Sequence, residues 1–211
     1  MYFFGLDLGK SNDYTALCIA RRTDFESDAG VIEINNVVRW PLGTPYVKVA
    51  EQVAEVIKSI PGAIVTKEDW PMEAEVPRKW REHNYYLVVD ATGVGNAVVE
   101  LLRKQQLRLT EVVITGGNSQ PSVVDGQTRV PKVQLISPLR VALENRRLRV
   151  AAQIPHWREI ERELMDFEEE ISGTGAPPYG NRSASGHDDM VLAMALAVWE
   201  ASRRKKFVYG F

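Results

Sequence analysis

Cysteine is nearly missing from this chain. A single Cys18 among 211 residues leaves no disulfide framework and no cysteine-based zinc site. Its place in the apolar run Ala16-Leu17-Cys18-Ile19-Ala20 reads as a small buried residue. Long apolar runs are missing too, and none approaches the roughly 20 residues of a membrane span. The opening segment Met1-Tyr2-Phe3-Phe4-Gly5-Leu6-Asp7 has no basic region and reaches a charge too early for a signal peptide, so a soluble, cytoplasmic chain is expected. Neither sign of charge prevails: 26 Lys+Arg against 28 Asp+Glu give a formal charge of −2. That balance excludes a polybasic nucleic-acid binder and leaves room for a nucleic-acid enzyme with a local basic face. Gly9-Lys10-Ser11 follows Phe4 where the full Gly-x-x-x-x-Gly-Lys-Ser/Thr phosphate loop needs its first glycine, which removes an ordinary NTPase motor, and Gly93-Val94-Gly95 lacks the rest of a dinucleotide fingerprint.

What is present is globular composition, 45% hydrophobic and 26% charged, in a chain long enough to bury a sizeable core. No repeat or linker divides it, so 1–211 is expected to be one domain. Tyr2 to Leu8, Tyr14 to Ala20 and Val31 to Trp40 read as three strands, and their short polar connections favour an antiparallel meander. Val49, Val53, Val56, Ile57 and Ile60 then recur at helical spacing until Pro61-Gly62. Ala63 to Asn84 reads as a mixed connection. Tyr85 to Asp90 is a continuously apolar strand of the kind covered on both faces. Ala91 to Gly95 turns it into a helix carrying Val98, Leu101 and Leu102, and Val112 to Ile114 is the next strand. Strand, helix, strand at this spacing implies a parallel crossover. The fold expected is α/β: a mixed sheet of five strands or slightly more, antiparallel first and parallel after, with helices on both faces.

Further along, polar Gly116 to Pro131 reads as a surface loop. Ser137-Pro138 reads as an N-cap followed by a proline at the first helical position. Trp157, Ile160, Leu164, Phe167 and Ile171 form a helical stripe. A second loop, Ser172 to Gly186, delivers the chain into His187-Asp188-Asp189 and a small-residue helix from Met190 to Ala201.

Three places put aspartate where it needs explaining: Asp7 at the end of an apolar strand, Asp90 at the end of another, and Asp188-Asp189 at the start of an apolar helix. An ionised carboxylate is expensive to remove from water unless it is paired or binds a metal. If these elements are neighbours, the acids meet at one edge of the sheet. There they repel one another until a hard divalent ion such as Mg²⁺ takes their oxygens. Two such ions can activate water and stabilise the leaving oxygen of an in-line phosphoryl displacement. Each acid also has a plainer reading: Asp188 as a helix cap, Asp90 as a turn residue, Asp7 as a partner of Lys10. Adjacent helical residues point about 100° apart, which favours Asp189 as direct ligand and Asp188 as cap or second ligand. His187 suits proton transfer or water positioning, or is a loop histidine by a helix start. Lys132 suits a scissile phosphate or the nucleophile, or is a solvated surface lysine. Arg129, Lys132 and Arg182 lie in or beside the two loops and are the candidate phosphate contacts.

Phe4-Gly5-Leu6-Asp7-Leu8-Gly9, Val88-Val89-Asp90-Ala91-Thr92-Gly93-Val94-Gly95 and the run His187-Asp188-Asp189-Met190-Val191-Leu192-Ala193-Met194-Ala195-Leu196-Ala197 together resemble the nuclease domain of tailed-phage large terminase subunits. Pro131-Lys132, Arg147-Leu148-Arg149-Val150 and Glu163-Leu164 with Phe167 resemble that family between them. The resemblance implies an RNase H-like fold and a metal-dependent endonuclease that cuts concatemeric viral double-stranded DNA during genome packaging. It implies that Asp7, Asp90 and Asp189, with Asp188 close by, hold two Mg²⁺ or Mn²⁺ ions, and it would place the chain in the cytoplasm of an infected host. The family's partners are an ATPase motor domain, a small terminase subunit and the portal; the motor is not in this sequence. Two other readings stay open: an actin-like phosphotransferase, from Gly5-Leu6-Asp7-Leu8-Gly9 and Val89-Asp90-Ala91-Thr92-Gly93, and a junction-resolvase-like nuclease with similar acids.

Overall fold

In a computed structural model, residues 1–9, 13–23, 30–64, 83–93, 96–172 and 188–204 are described. Strands β1 (Tyr2–Asp7), β2 (Thr15–Thr23) and β3 (Val31–Trp40) form the expected antiparallel meander, and helix α1 (Tyr46–Ser59) follows. Strand β4 (Tyr85–Asp90), helix α2 (Asn96–Lys104) and strand β5 (Leu109–Thr115) make the parallel crossover, with β4 parallel to both β1 and β5. Next come β6 (Ser122–Val124), β7 (Gln127–Pro131), α3 (Lys132–Glu144), β8 (Leu148–Val150), α4 (Trp157–Ser172) and α5 (Asp189–Arg203). One eight-stranded sheet results, ordered β6-β7-β5-β4-β1-β2-β3-β8.

Strand alternation divides the core in two. Phe4, Leu6 and Leu8 of the β1 segment, with Leu87 and Val89 of β4, pack against α1 and α2. Phe3 and Val88 face the other way, against α3, α4 and α5. Helix α5 is the centre of that second layer: Met190 to Ala201 is buried all round, and the helix lies across β1, β2 and β4. A helix apolar on every side is a core helix, as its alanine-rich sequence requires. Cys18 is buried, as expected, and burial pushes its thiol pKa up.

Close approach of α5 to β1 depends on Gly5. A Cβ there would strike the Ala193 carbonyl oxygen, lie 2.6 Å from the Ala197 nitrogen and 2.9 Å from the Leu196 Cβ. At the other end of α5, the buried Arg22 guanidinium of β2 donates to the carbonyls of Ala201 at 2.8 Å and Arg204 at 2.5 Å, satisfying the terminal carbonyls of the helix.

Two expectations are corrected. Gly116 to Pro131 is not merely a loop: β6 and β7 pair as a hairpin on the sheet edge. Its two-residue turn, Asp125-Gly126, has φ of 51° and 80°, the left-handed pair that such hairpins require. Ser137-Pro138 does not begin a helix. The helix starts at Lys132 after Pro131, Pro138 sits inside it, and the Ser137 hydroxyl donates to the Val133 carbonyl at 2.7 Å. The sheet also gains β8, a three-residue edge strand parallel to β3. The loop from Ser172 to Gly186 lies outside the described residues apart from Ser172, which closes α4. Among the described residues, no helix is long and apolar enough to cross a membrane.

Since the obstacle at Gly5 is backbone and not a flexible side chain, Gly5→Ala should destabilise the fold by about 1–3 kcal/mol or more. Urea unfolding reads this directly, and an unchanged midpoint would mean that α5 can lift from β1 at little cost.

Candidate active site

Asp7 and Asp90 are register partners at the C-terminal ends of two adjacent parallel strands. The same register row continues to Ala16 of β2 and Arg39 of β3. Four strands therefore present Asp90, Asp7, Ala16 and Arg39 in one line, on the face that α5 covers. Asp90 and Asp7 share that face with Val88 and Phe3 by alternation. Arg39 reaches it through an irregularity. Ile34 pairs with Ala20 and Asn36 with Ile19, so Asn35 is an extra residue in β3. Before this bulge Ile32 and Ile34 face α5; after it Val37 does, and Arg39 with it.

The strand ends are fixed locally. Leaving β1, the chain turns at Gly9, where a Cβ would collide with the backbone of Asp13 and Tyr14. The Gly9 N–H donates to Thr15 Oγ1 at 3.1 Å, and the Tyr46 hydroxyl donates to the Gly9 carbonyl at 2.7 Å. Asp90 accepts from the Thr92 N–H at 2.8 Å, and Gly93 follows at φ 78°, so Asp90 is a turn residue as well as a member of the acidic row.

Helix α5 brings the other acids. Asp188 is its N-cap residue and Asp189 its first residue, yet the Asp188 side chain makes no capping bond. The start of the helix is held from α4 instead: Glu163 accepts from the N–H groups of Met190 and Val191, each at 3.1 Å. These are the terminal donors that a helix cannot satisfy itself. Asp188 turns outward, 3.3 Å from the Lys132 ammonium. Asp189 turns inward and lies 2.5 Å from the Arg39 guanidinium, which also stands 3.4 Å from Glu163 and 4.1 Å above the Tyr14 ring. Adjacent acids thus have different surroundings, as their angular separation on the helix demands.

Electrostatics record the crowding. The Asp7 carboxyl is raised well above its ordinary range, first by burial and then by the charges of Asp90, Asp188, Asp189 and Asp13. Glu163 is raised to about 7 by burial and by Asp189, against the pull of its two N–H donors and Arg39. Burial also disfavours charge on Glu163 at 8% side-chain exposure. Even so, among the described residues no three of His, Cys, Asp or Glu draw close enough to hold a metal ion, and Asp189 lies on Arg39.

Lys132 meets Asp188, so the lysine expected at the site stands beside an acid. Arg129 lies on β7 opposite Val113, while Thr128 pairs with Val112, the residue beside Asp90; alternation turns Arg129 to the far face of the sheet from the acids. His187 and Arg182 lie outside the described residues. Sequence reasoning missed Arg39 altogether and had Glu163 only through a resemblance. Nothing local marks Arg39, which sits between Val38 and Trp40 with the strand period broken upstream.

A mixed sheet with acids at the ends of two central parallel strands, beneath the first turn of a buried helix, has the form of an RNase H-like domain. The family model of the terminase RNaseH-like domain matches residues 4–200. The chain belongs to that family and is an endonuclease domain of the large-terminase type. Among solved structures it is similar to the large terminase nuclease of thermophilic phage G20c, at 22% identity and a TM-score of 0.51 over 93% of this chain and 80% of that one. It is also similar to the human cytomegalovirus terminase nuclease domain, Mn soaked and inhibitor bound, at 9% identity and a TM-score of 0.54 over 95% and 82% of the two chains. At such identities the likeness is one of fold. No curated protein matches the chain.

A carboxyl raised in the fold holds its proton more tightly there than in the unfolded chain, so stability falls as pH rises from the unfolded value toward the folded one. For Glu163 that window runs from 4.5 to about 7. Without metal, the melting temperature should drop between pH 5 and 7.5, and Glu163→Gln should flatten that drop. Thermal melts in chelator decide it: an identical slope in the variant would show that Glu163 is not a source of the pH dependence.

Proposed function

We infer that Asp7, Asp90, Asp189 and Asp188 are the metal-holding acids of a divalent-metal-dependent endonuclease that hydrolyses double-stranded DNA. One observation carries the reading: Asp7 and Asp90 are in register at the ends of adjacent parallel strands, and the acids that begin α5 lie near enough to raise the Asp7 pKa. The donor chemistry suits the ion, and in the metal-free arrangement Asp189 lies on Arg39 instead. Four carboxylates are hard oxygen ligands of the kind Mg²⁺ and Mn²⁺ accept, and repulsion within the group is relieved only by added positive charge. When bound, two such ions would supply an activated water and charge stabilisation at the leaving oxygen.

The remaining chemistry belongs to the chain. Asp7 and Asp90 sit on rigid central strands, which fixes the distance between them. Lys132 begins α3 beside Asp188, where its ammonium can meet a backbone phosphate at the rim. His187 adjoins this rim in sequence and is assigned proton transfer; Arg182 is assigned a phosphate contact, and Arg129 one on the far face of the sheet. In this reading residues 1–211 act as one nuclease domain, and the family context supplies the ATPase motor, small subunit and portal as partners in packaging. The phosphotransferase reading has lost its ground. Gly5 is a packing notch under α5 and Gly9 a tight turn, which accounts for both glycines without a phosphate.

Asp7→Asn and Asp90→Asn should each reduce Mn²⁺-dependent plasmid cleavage to background, and Asp7→Asn should raise the metal-free melting temperature because it removes a crowded carboxylate. Full activity in both variants would sink the assignment. Linear, supercoiled and four-way-junction DNA compared side by side would separate a packaging nuclease, which cuts the first two, from a resolvase, which prefers the junction.

A further inference from the structure

Arg39 is an unusual residue to find at an acidic metal site. It lies in the same register row as Asp90 and Asp7, separated from Asp7 only by the small residue Ala16. The bulge at Asn35 is what turns it to this face. Its guanidinium is stacked over Tyr14 and shared between two acids, with Asp189 at 2.5 Å and Glu163 at 3.4 Å. The three side chains are only 14%, 5% and 8% exposed for Arg39, Asp189 and Glu163. Buried Arg39 Nε has no hydrogen-bond partner among the described residues.

We propose that Arg39 is an internal counter-ion that holds Asp189 in the metal-free protein, and that a divalent cation must take Asp189 from it, so that Arg39 sets the metal affinity of the site. The inference rests on the metal-dependent reading above. Its logic is one of charge. A buried carboxylate stays ionised only with a cation beside it. Without metal, Arg39 serves Asp189. With metal, Asp189 serves the ion and Arg39 keeps Glu163, which cannot follow because two backbone N–H groups of α5 hold it. Neither Asp189 nor Arg39 is then stranded in either state. Arg39 is accordingly a positioning residue that acts through Asp189, not a group that touches the substrate.

The test is calorimetric titration of Mn²⁺ into the full chain stripped with chelator, with thermal melts in the absence and presence of Mn²⁺, for wild type, Arg39→Gln, Arg39→Lys and Asp7→Asn. Losing a charge-assisted hydrogen bond that competes with the ion should tighten Mn²⁺ binding about tenfold in Arg39→Gln. The same variant should melt lower without metal and show a larger rise with it. Arg39→Lys keeps the charge but not the planar fork, so its affinity should fall between the two, and it carries the test if the glutamine variant does not fold. A role confined to bracing α5 would loosen the site; equal or weaker Mn²⁺ binding in the variants therefore overturns the proposal. If wild type and Asp7→Asn alike bind no Mn²⁺, it is the metal-dependent reading that fails, and this inference with it.

Discussion

Everything at this site hangs on how near α5 can come to β1. The helix is apolar from Met190 to Trp199 and has to be buried, but burial alone would leave it a side chain's thickness above the sheet. Gly5 removes that thickness at the point of contact, and the Ala193, Leu196 and Ala197 surface seats itself there. Because α5 begins with Asp188 and Asp189, lowering the helix onto β1 lowers those acids toward the end of the strand that carries Asp7. A packing requirement in the core thus becomes a distance requirement among carboxylates. Interiors are dense and yield little, so the distance is held as firmly as the core itself.

Bringing four acids together has to be compensated, and the chain does so unequally. Asp188 faces outward to Lys132 in partial solvent, where an ion pair is weak and easily exchanged. Asp189 faces inward to Arg39, where the pair is shielded and leaving the carboxylate without a cation is unfavourable. Asp7 is left with neither cation: its neighbours are acids, and its carboxyl is pushed toward the neutral form. That asymmetry separates the roles that an Asp-Asp dipeptide leaves undecided. One acid lies at an accessible rim, one is under internal control, and the strand acid between them is the one that positive charge would relieve.

Much of this was legible beforehand, because the signals were strong and local. Apolar runs with short polar turns gave β1 to β3. A fully apolar run ending in Asp90 gave β4, and small residues after Asp188-Asp189 gave α5. The hairpin escaped because its strands are mostly polar, although Asp125-Gly126 is the dipeptide such a turn uses. Pro138 misled because proline favours first turns, whereas here its missing N–H is accommodated within α3. Strand β8 has three residues and too little pattern to register.

Arg39 failed to show for a deeper reason. Its side of the strand is decided by one extra residue at Asn35, and its role by a row that crosses four strands far apart in sequence. Period-two reading along β3 puts Arg39 opposite Ile32 and Ile34, on the α1 side of the sheet. Only the register, set by pairing with β2, reveals the shift. Acids that sit at strand ends and helix starts announce themselves by being charged in apolar surroundings. A basic residue that answers them from a bulged strand carries no such mark, since an arginine near the end of a strand is unremarkable by composition. The candidate ligands of this site were therefore visible in sequence, while the group that governs their charge became visible only once strands were laid side by side.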